Sequence, residues 1–321
     1  MSLLYVDSSD VRAALPYDRA IAAIEDALRT DVDPEVDSPR LFSPAPDGEF
    51  LLMPTAGGRY SGVKVATIAP LNPARGLEKI QAVYLLFDSA SLAPLAALDG
   101  TTLTAIRTPA TTLTAVKHIA AAPGGEELPA EPHVVVIGAG VQALEHVRAA
   151  RAVFAGARFT VVGRSAERVE RLVATLTEEG VPVRAGSRDE AVRTADVVLC
   201  VTSSTEPVFD GALPGDHAIV ASVGAHGLDA REVDSTLVRR ADVVVEGRES
   251  SWRESGNLLS VADVDHWRAM ELPNLRDLVA GRFRRTPGRP ALYTGVGMAW
   301  EDIVLASVAY EAAVTARAPS R

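Results

Sequence analysis

The chain has 321 residues, a formal net charge of −10 and 47% hydrophobic residues. That length allows one large or two ordinary domains, each with a buried core. The acidic balance argues against non-specific binding to nucleic acid or an anionic membrane, both of which need basic surface. The opening stretch MSLLYVDSSDVRAAL lacks a basic segment followed by an apolar core, no apolar run approaches a membrane span, and the single cysteine, Cys200, sits in the apolar run DVVLCVT as a small hydrophobe. A cytoplasmic protein without signal peptide, membrane segment or disulfide is therefore expected.

In chain order, Ser9 or Asp10 is placed to cap a short helix carrying VRAAL, and DRAIAAIEDALRT, after Pro16, has the spacing of an amphipathic helix. DVDPEVDSPR, rich in Asp and Pro, reads as a loop that delivers Arg40 to LFSPAPDGEFLLMP, where the Asp-Gly pair suggests a hairpin. GVKVATIAP alternates like a strand and carries Lys64, and LNPARGLEK is a turn-rich connector carrying Lys79. IQAVYLLFD, SASLAP and LAALDG read as a second hairpin, so the first hundred residues are mostly antiparallel sheet with flanking helix. TTLTAIRTPATTLTAVKHIAA, with Arg107 and Thr108, predicts a long helix broken or kinked at Pro109.

The loop PGGEELPAEP at 123–132 is the clearest boundary. Beyond it short apolar strands alternate with helices: HVVVI, VQALEHVRAARAV, RFTVVG, SAERVERLVATLTEE and PVRA, then the strands DVVLCVT, AIVASVG and DVVVEG. That alternation predicts a parallel sheet with helices on both faces. Within it, HVVVIGAGVQA at 133–143 reads as a strand, a glycine turn and the start of a helix, the first unit of a dinucleotide-binding fold. Gly138 permits the tight turn and Gly140 lets the backbone approach a pyrophosphate. Val141 and Gln142 open the helix whose free N–H groups meet the phosphate charge, and Ala143 is small enough for helix–strand packing. The competing reading is a purely structural turn.

The next strand runs into Gly163-Arg164-Ser165, with no acid at its end to hold the ribose hydroxyls. Arg164 can stack on adenine and pair with a 2′-phosphate, Ser165 can donate a hydrogen bond, and Arg168 lies one turn on, so NADP(H) is preferred over NAD(H). The alternative is a pair of solvated arginines opening a helix. Thr202 and Val223, after the strands DVVLC and AIVAS, complete the predicted cofactor site. No HExxH, cysteine cluster or metal-ligand histidine spacing is present, so no catalytic metal is expected. The tail after about 295 reads as one long amphipathic helix that packs back on the N-terminal sheet. The predicted architecture is thus α/β: a Rossmann-type doubly wound parallel sheet, 123–295, inserted in a discontinuous α+β domain, 1–122 with 296–321.

Four further stretches accompany VVVIGAGVQALEH: GVKVATIAP (62–70), LDGTTLTAIRTPATTLTAVKHIA (98–120), VGAHGLDAREVD (223–234) and GVGMAWEDIVLA (295–306). Together, in matching order across nearly the whole chain, they resemble the ornithine cyclodeaminase and mu-crystallin family. That family includes ornithine and lysine cyclodeaminases, a class of alanine dehydrogenase, and ketimine and pyrroline-2-carboxylate reductases. The resemblance implies a homodimer whose discontinuous domain dimerises and binds a small amino or imino acid. It also implies hydride transfer between a nicotinamide and the α-carbon of that substrate. By resemblance, Arg40, Lys64 and Arg107 hold the α-carboxylate, Thr108 contacts a cofactor phosphate, and Val296 and Gly297 line the substrate site. Guanidinium forks suit a carboxylate, and a lysine can move protons. Lys64 stands out because an unpaired lysine inside an apolar strand is costly.

Two positions depart from the family pattern. His226 stands where cyclodeaminases carry an aspartate that handles the distal amine. An imidazole is a poor partner for an ammonium, but it can protonate an imine nitrogen or an adjacent water, or simply shape the pocket. Lys79 replaces a small or hydroxyl residue. Facing the pocket it favours a second acidic group on the substrate; facing solvent it is a strand-end lysine. The leading expectation is an NADP(H)-dependent reductase of an α-imino acid, an amino acid dehydrogenase in reverse, with Lys64 or His226 supplying the proton. The alternatives are an ornithine or lysine cyclodeaminase and, more remotely, a non-catalytic nucleotide-binding protein.

Overall fold

The computed structural model describes residues 3–318. The chain divides into two compact units, Met1–Arg107 with Met298–Arg321, and Thr108–Gly297. The first contains β1 (Leu4–Val6), α1 (Ser8–Ala14), α2 (Tyr17–Arg29), β2 (Leu41–Ala45), β3 (Gly48–Gly57), β4 (Tyr60–Ile68), β5 (Ile80–Asp88), β6 (Pro94–Asp99) and the start of α3 (Gly100–Ala120). The strands form one sheet in the order β1-β6-β5-β4-β3-β2. All neighbours are antiparallel except β1, which pairs in parallel with β6. The hairpin expected at Asp-Gly forms, with Pro46 and Asp47 at the turn and Gly48 already in β3.

Burial along β4 alternates, so Tyr60, Gly62, Lys64 and Ala66 share its buried face. In register, Lys64 lies between Met53 of β3 and Tyr84 of β5. Two expectations change here. The first helix is capped by Asp7, whose Oδ1 accepts from Asp10 N at 2.9 Å, rather than by Ser9 or Asp10, because the helix starts earlier than its apolar residues suggest. Helix α3 runs unbroken through Pro109. Its residues are buried along most of their length, and Thr104, Thr112 and Thr114 hydroxyls donate back to the carbonyls four residues earlier. Tertiary packing thus offsets the roughly 3 kcal/mol that an internal proline costs.

The second unit contains β7 (His133–Ile137), α4 (Val141–Val153), β8 (Arg158–Val162), α5 (Ala166–Glu178), β9 (Val183–Ala185), α6 (Arg188–Arg193), β10 (Val197–Cys200), β11 (Ile219–Ser222), α7 (Ser235–Arg240), β12 (Asp242–Val245), α8 (Arg248–Glu254), α9 (Gly256–Leu259), α10 (Val264–Ala269), α11 (Leu275–Val279) and β13 (Ala291–Thr294). Its seven strands are parallel, in the order β12-β13-β11-β10-β7-β8-β9. The chain leaves β7 for β8 on one side and reaches β10 on the other, so the strand order reverses between β7 and β10. The strand β13, ALYT, lies between β11 and β12 and has no counterpart among the predicted strands; it is short, and Tyr and Thr interrupt its aliphatic character.

The units divide inside α3, at Arg107/Thr108, and at Gly297/Met298, whereas sequence placed the boundaries at 122/123 and 295/296. The second half of α3 bonds into the dinucleotide unit: His146 of α4 sets Nε2 3.1 Å from Thr112 Oγ1 and Nδ1 2.7 Å from Gln142 O. The last helix, α12 (Ala299–Arg317), returns to the first unit and packs on β3, β4, β5, α1 and α2. Its first turn is not amphipathic: Ala299, Trp300, Glu301, Asp302 and Ile303 are all buried. No helix among the described residues is long and apolar enough to cross a membrane.

Candidate active site

The buried face of β4 carries a charge where its alternation calls for an apolar residue. Lys64, 3% exposed, sets its Nζ 2.8 Å from Oδ2 of Asp302, which is fully buried. Arg107, on α3, sets Nη1 2.7 Å from Glu301 Oε2 and Nε 3.5 Å from Asp302 Oδ1. Arg40 is half-buried at the entrance to β2, close enough for its charge to act on Lys64. Two basic residues far apart in sequence therefore meet two consecutive acids of α12, with Arg40 near Lys64. Burial pushes the Lys64 ammonium down from its ordinary value, Asp302 pulls it back up, and Arg107 and then Arg40 push it down again, leaving it at about 8. Tyr84, opposite Lys64, lies over Gly62, where a Cβ would stand 2.4 Å from its hydroxyl oxygen. That hydroxyl is buried without a hydrogen-bond partner among the described residues, and burial, then Asp302, raise its pKa well above the usual tyrosine value.

Two acids of the first unit hold the start of α12. Glu301 Oε1 accepts from Met298 N at 3.0 Å, and Asp37 Oδ1 accepts from Ala299 N at 3.1 Å. Glu301 thus caps its own helix and fixes Arg107 at once. Sequence reasoning did not single out Glu301 or Asp302. Their signal was present in GVGMAWEDIVLA: adjacent acids in the apolar opening of a helix need partners if they are buried.

In the second unit, the turn after β7 has the form expected of a phosphate cradle. Gly138 has φ +138°, and a Cβ there would stand 2.9 Å from Val201, beyond β10, so only glycine fits. A Cβ on Gly140 would meet nothing within 4 Å. No side chain among the described residues caps α4, and Val141 is exposed at its start with Gln142 half-buried behind it. An uncapped helix N-terminus beside an open glycine, at the strand-order reversal, suits a pyrophosphate. At the end of β8, Arg164 and Arg168 are exposed, and Ser165 caps α5 by accepting from Arg168 N. Thr108 follows Arg107 on α3 and is half-buried.

Two buried carboxylates shape the loops beyond the sheet. Glu232 accepts from Thr202 N at 2.5 Å, Thr202 Oγ1 at 2.8 Å, Ser222 Oγ at 2.8 Å and Gly224 N at 2.9 Å. It ties the ends of β10 and β11 together and fixes Thr202 and the half-buried Val223. Burial raises its pKa while these donors lower it. Glu246 Oε2 accepts from Val296 N at 2.8 Å and Gly297 N at 2.7 Å, and Gly297 has φ +75°. Both carboxylates escaped sequence reasoning, which has no means of pairing an acid with backbone N–H groups tens of residues away. His226 is exposed on the loop after β11. Lys79 is exposed on the connector before β5.

A sequence profile described as the ornithine cyclodeaminase/mu-crystallin family matches residues 4–317. The chain is 32% identical over 317 residues to a Delta(1)-pyrroline-2-carboxylate/Delta(1)-piperideine-2-carboxylate reductase of Azospirillum brasilense, covering 97% of this chain and 96% of the relative. It is 34% identical over 234 residues to the ketimine reductase mu-crystallin of Mus musculus, covering 72% of this chain and 69% of that one. Among solved structures, Thermococcus litoralis Delta(1)-pyrroline-2-carboxylate reductase in complex with NADH and L-proline superposes with a TM-score of 0.86 at 28% identity, covering 98% of each chain.

Proposed function

Because this chain belongs to the ornithine cyclodeaminase/mu-crystallin family, we propose that it is an NADP(H)-dependent reductase of an α-imino acid of the ketimine or pyrroline-2-carboxylate type. The observation that carries this reading is the buried charge cluster of the first unit. There Lys64 and Arg107 meet Glu301 and Asp302, and Arg40 is close enough for its charge to act on Lys64. Guanidinium and ammonium groups brought together at a buried site suit a substrate carboxylate.

Arg40, before β2, and Arg107, on α3, orient the carboxylate, and Lys64 projects from the buried face of β4. When bound, the nicotinamide supplies a hydride to the imine carbon. Lys64 gives its proton to the imine nitrogen, so the C=N bond becomes a C–N bond with one new C–H and one new N–H, and the lysine is reprotonated from water. In the reverse direction neutral Lys64 accepts the proton from the amino acid. Arg164 and Ser165 hold the 2′-phosphate of NADP(H), with Arg168 one turn on. Val296 and Gly297, fixed by Glu246, shape the substrate side. The enzyme acts as a homodimer through the β2–β3 side of its first sheet, where Leu41 and Phe50 are exposed on one face and Phe42 on the other.

The test is oxidation of NADPH and of NADH with pyrroline-2-carboxylate, piperideine-2-carboxylate, and pyruvate with ammonia or methylamine. Turnover of at least one imine, faster with NADPH, is expected. Ammonia release from ornithine or lysine with catalytic cofactor, and no net oxidation of NADPH by any imine, would instead make the protein a lyase.

A further inference from the structure

The basic residues of the cluster differ in one respect that matters for chemistry. Arginine keeps its proton at any working pH, whereas a buried lysine can release one. The chain uses arginine almost throughout, and its lysines are Lys64, Lys79 and Lys117. A lysine at 64 is therefore the one cation of the cluster able to transfer a proton. Asp302 is the group nearest its ammonium, fully buried and 2.8 Å away. Asp302 does not cap α12, which Glu301 and Asp37 do, and Arg107 already has Glu301 at 2.7 Å. Its carboxylate is left to face Lys64 and, at 3.5 Å, Arg107 Nε.

We infer that Asp302 is the positioning residue of Lys64: it aims the ammonium from β4 and keeps the proton on it until the imine nitrogen takes it. This rests on the imine-reductase reading. The titratable and charged groups facing Lys64 are Asp302 from α12, Arg107 from α3, Tyr84 from β5 and Arg40 before β2, while Glu301 pairs with Arg107; its neighbour on β3 is the apolar Met53. Of these, Asp302 is the one that raises the lysine pKa, against burial, Arg107 and Arg40. Without it the ammonium loses its proton at lower pH, and the form needed for reduction disappears sooner.

Two measurements on the full chain test this. With 13Cε-labelled lysine, the three lysine signals are followed by NMR against pH, and a Lys64→Met variant assigns the one from Lys64. In parallel, kcat for imine reduction is measured against pH. In the wild type, kcat is expected to fall as pH rises through about 8, in step with Lys64. In Asp302→Asn, both the Lys64 titration and the alkaline limb of kcat move down together by about one pH unit or more, with NADPH affinity unchanged. Asp302→Glu keeps the charge, moves both by less, and carries the test if the asparagine variant does not fold. A limb that stays in place while Lys64 shifts reduces Asp302 to a structural ion pair and overturns the inference, as does a Lys64 titration that does not move. If the wild type reduces no imine, the functional reading fails on its own, and the lysine titration still decides whether Asp302 controls the ammonium.

Discussion

At the scale of single residues, one buried lysine organises the site. Burying an ammonium in an apolar strand is strongly unfavourable unless it is paired. Asp302 compensates it only in part, and the cost left over is what brings Lys64 to about 8, where it can both hold and give up a proton. Lys64→Ala is therefore expected to lower kcat for imine reduction by about 10²-fold or more while leaving NADPH affinity within about twofold, as read by steady-state kinetics and by fluorescence titration of the bound nucleotide. Full activity in that variant would remove Lys64 from the mechanism. Arg164→Ala addresses the other end of the reaction. Losing one charge-assisted contact to a 2′-phosphate should raise the KM for NADPH by about tenfold or more with little change for NADH. Equal effects on the two cofactors would argue against the phosphate role. Both positions draw notice in sequence for local reasons, a lysine inside GVKVA and an arginine ending a strand. Asp302 does not, since an acid in a helix is ordinary until its burial and partner are seen.

At the scale of elements, α3 and α4 show how a polar contact inside the second unit fixes the helix that opens at the glycine turn. His146 is fully buried, and burial holds its imidazole at about 4, well below its ordinary value. The unfolded chain thus binds this proton at a higher pH than the folded one, near 6.5 against about 4. Between those values the unfolded state carries the extra proton, so stability falls as pH falls through that window and levels off below it. The loss from this residue alone amounts to roughly 3 kcal/mol. Urea unfolding of the wild type and of His146→Gln at several pH values should show the wild type losing more stability between pH 6.5 and 4.5. Parallel curves would show that another group sets the acid sensitivity. The same element explains why Pro109 does not break α3: a helix buried along most of its length is held by its neighbours more than by its own propensity.

At the scale of the whole molecule, an exposed apolar edge and the alternation of strands and helices carry different messages. Leu41 and Phe50 are exposed on one face at the β2 edge and Phe42 on the other, and an edge strand with large apolar side chains invites pairing. Phe42→Asp is expected to convert a dimer to monomers by light scattering; a monomeric wild type would dismiss the assembly. The sequence by itself determined the kind of fold, because period-2 and helical spacings, the GAGVQA turn and the 123–132 loop are written in nearest neighbours along the chain. It also pointed to Arg40, Lys64 and Arg107 as a group, by resemblance rather than by contact. Only the tertiary structure decided where the units part within α3, that β13 enters the sheet between β11 and β12, and that Glu232, Glu246, Glu301 and Asp302 hold the site's loops and cations. The physical reason is the same in each case. Burial and pairing are properties of neighbours in space, and an acid needs a buried partner dozens to hundreds of residues away before its charge becomes a structural fact.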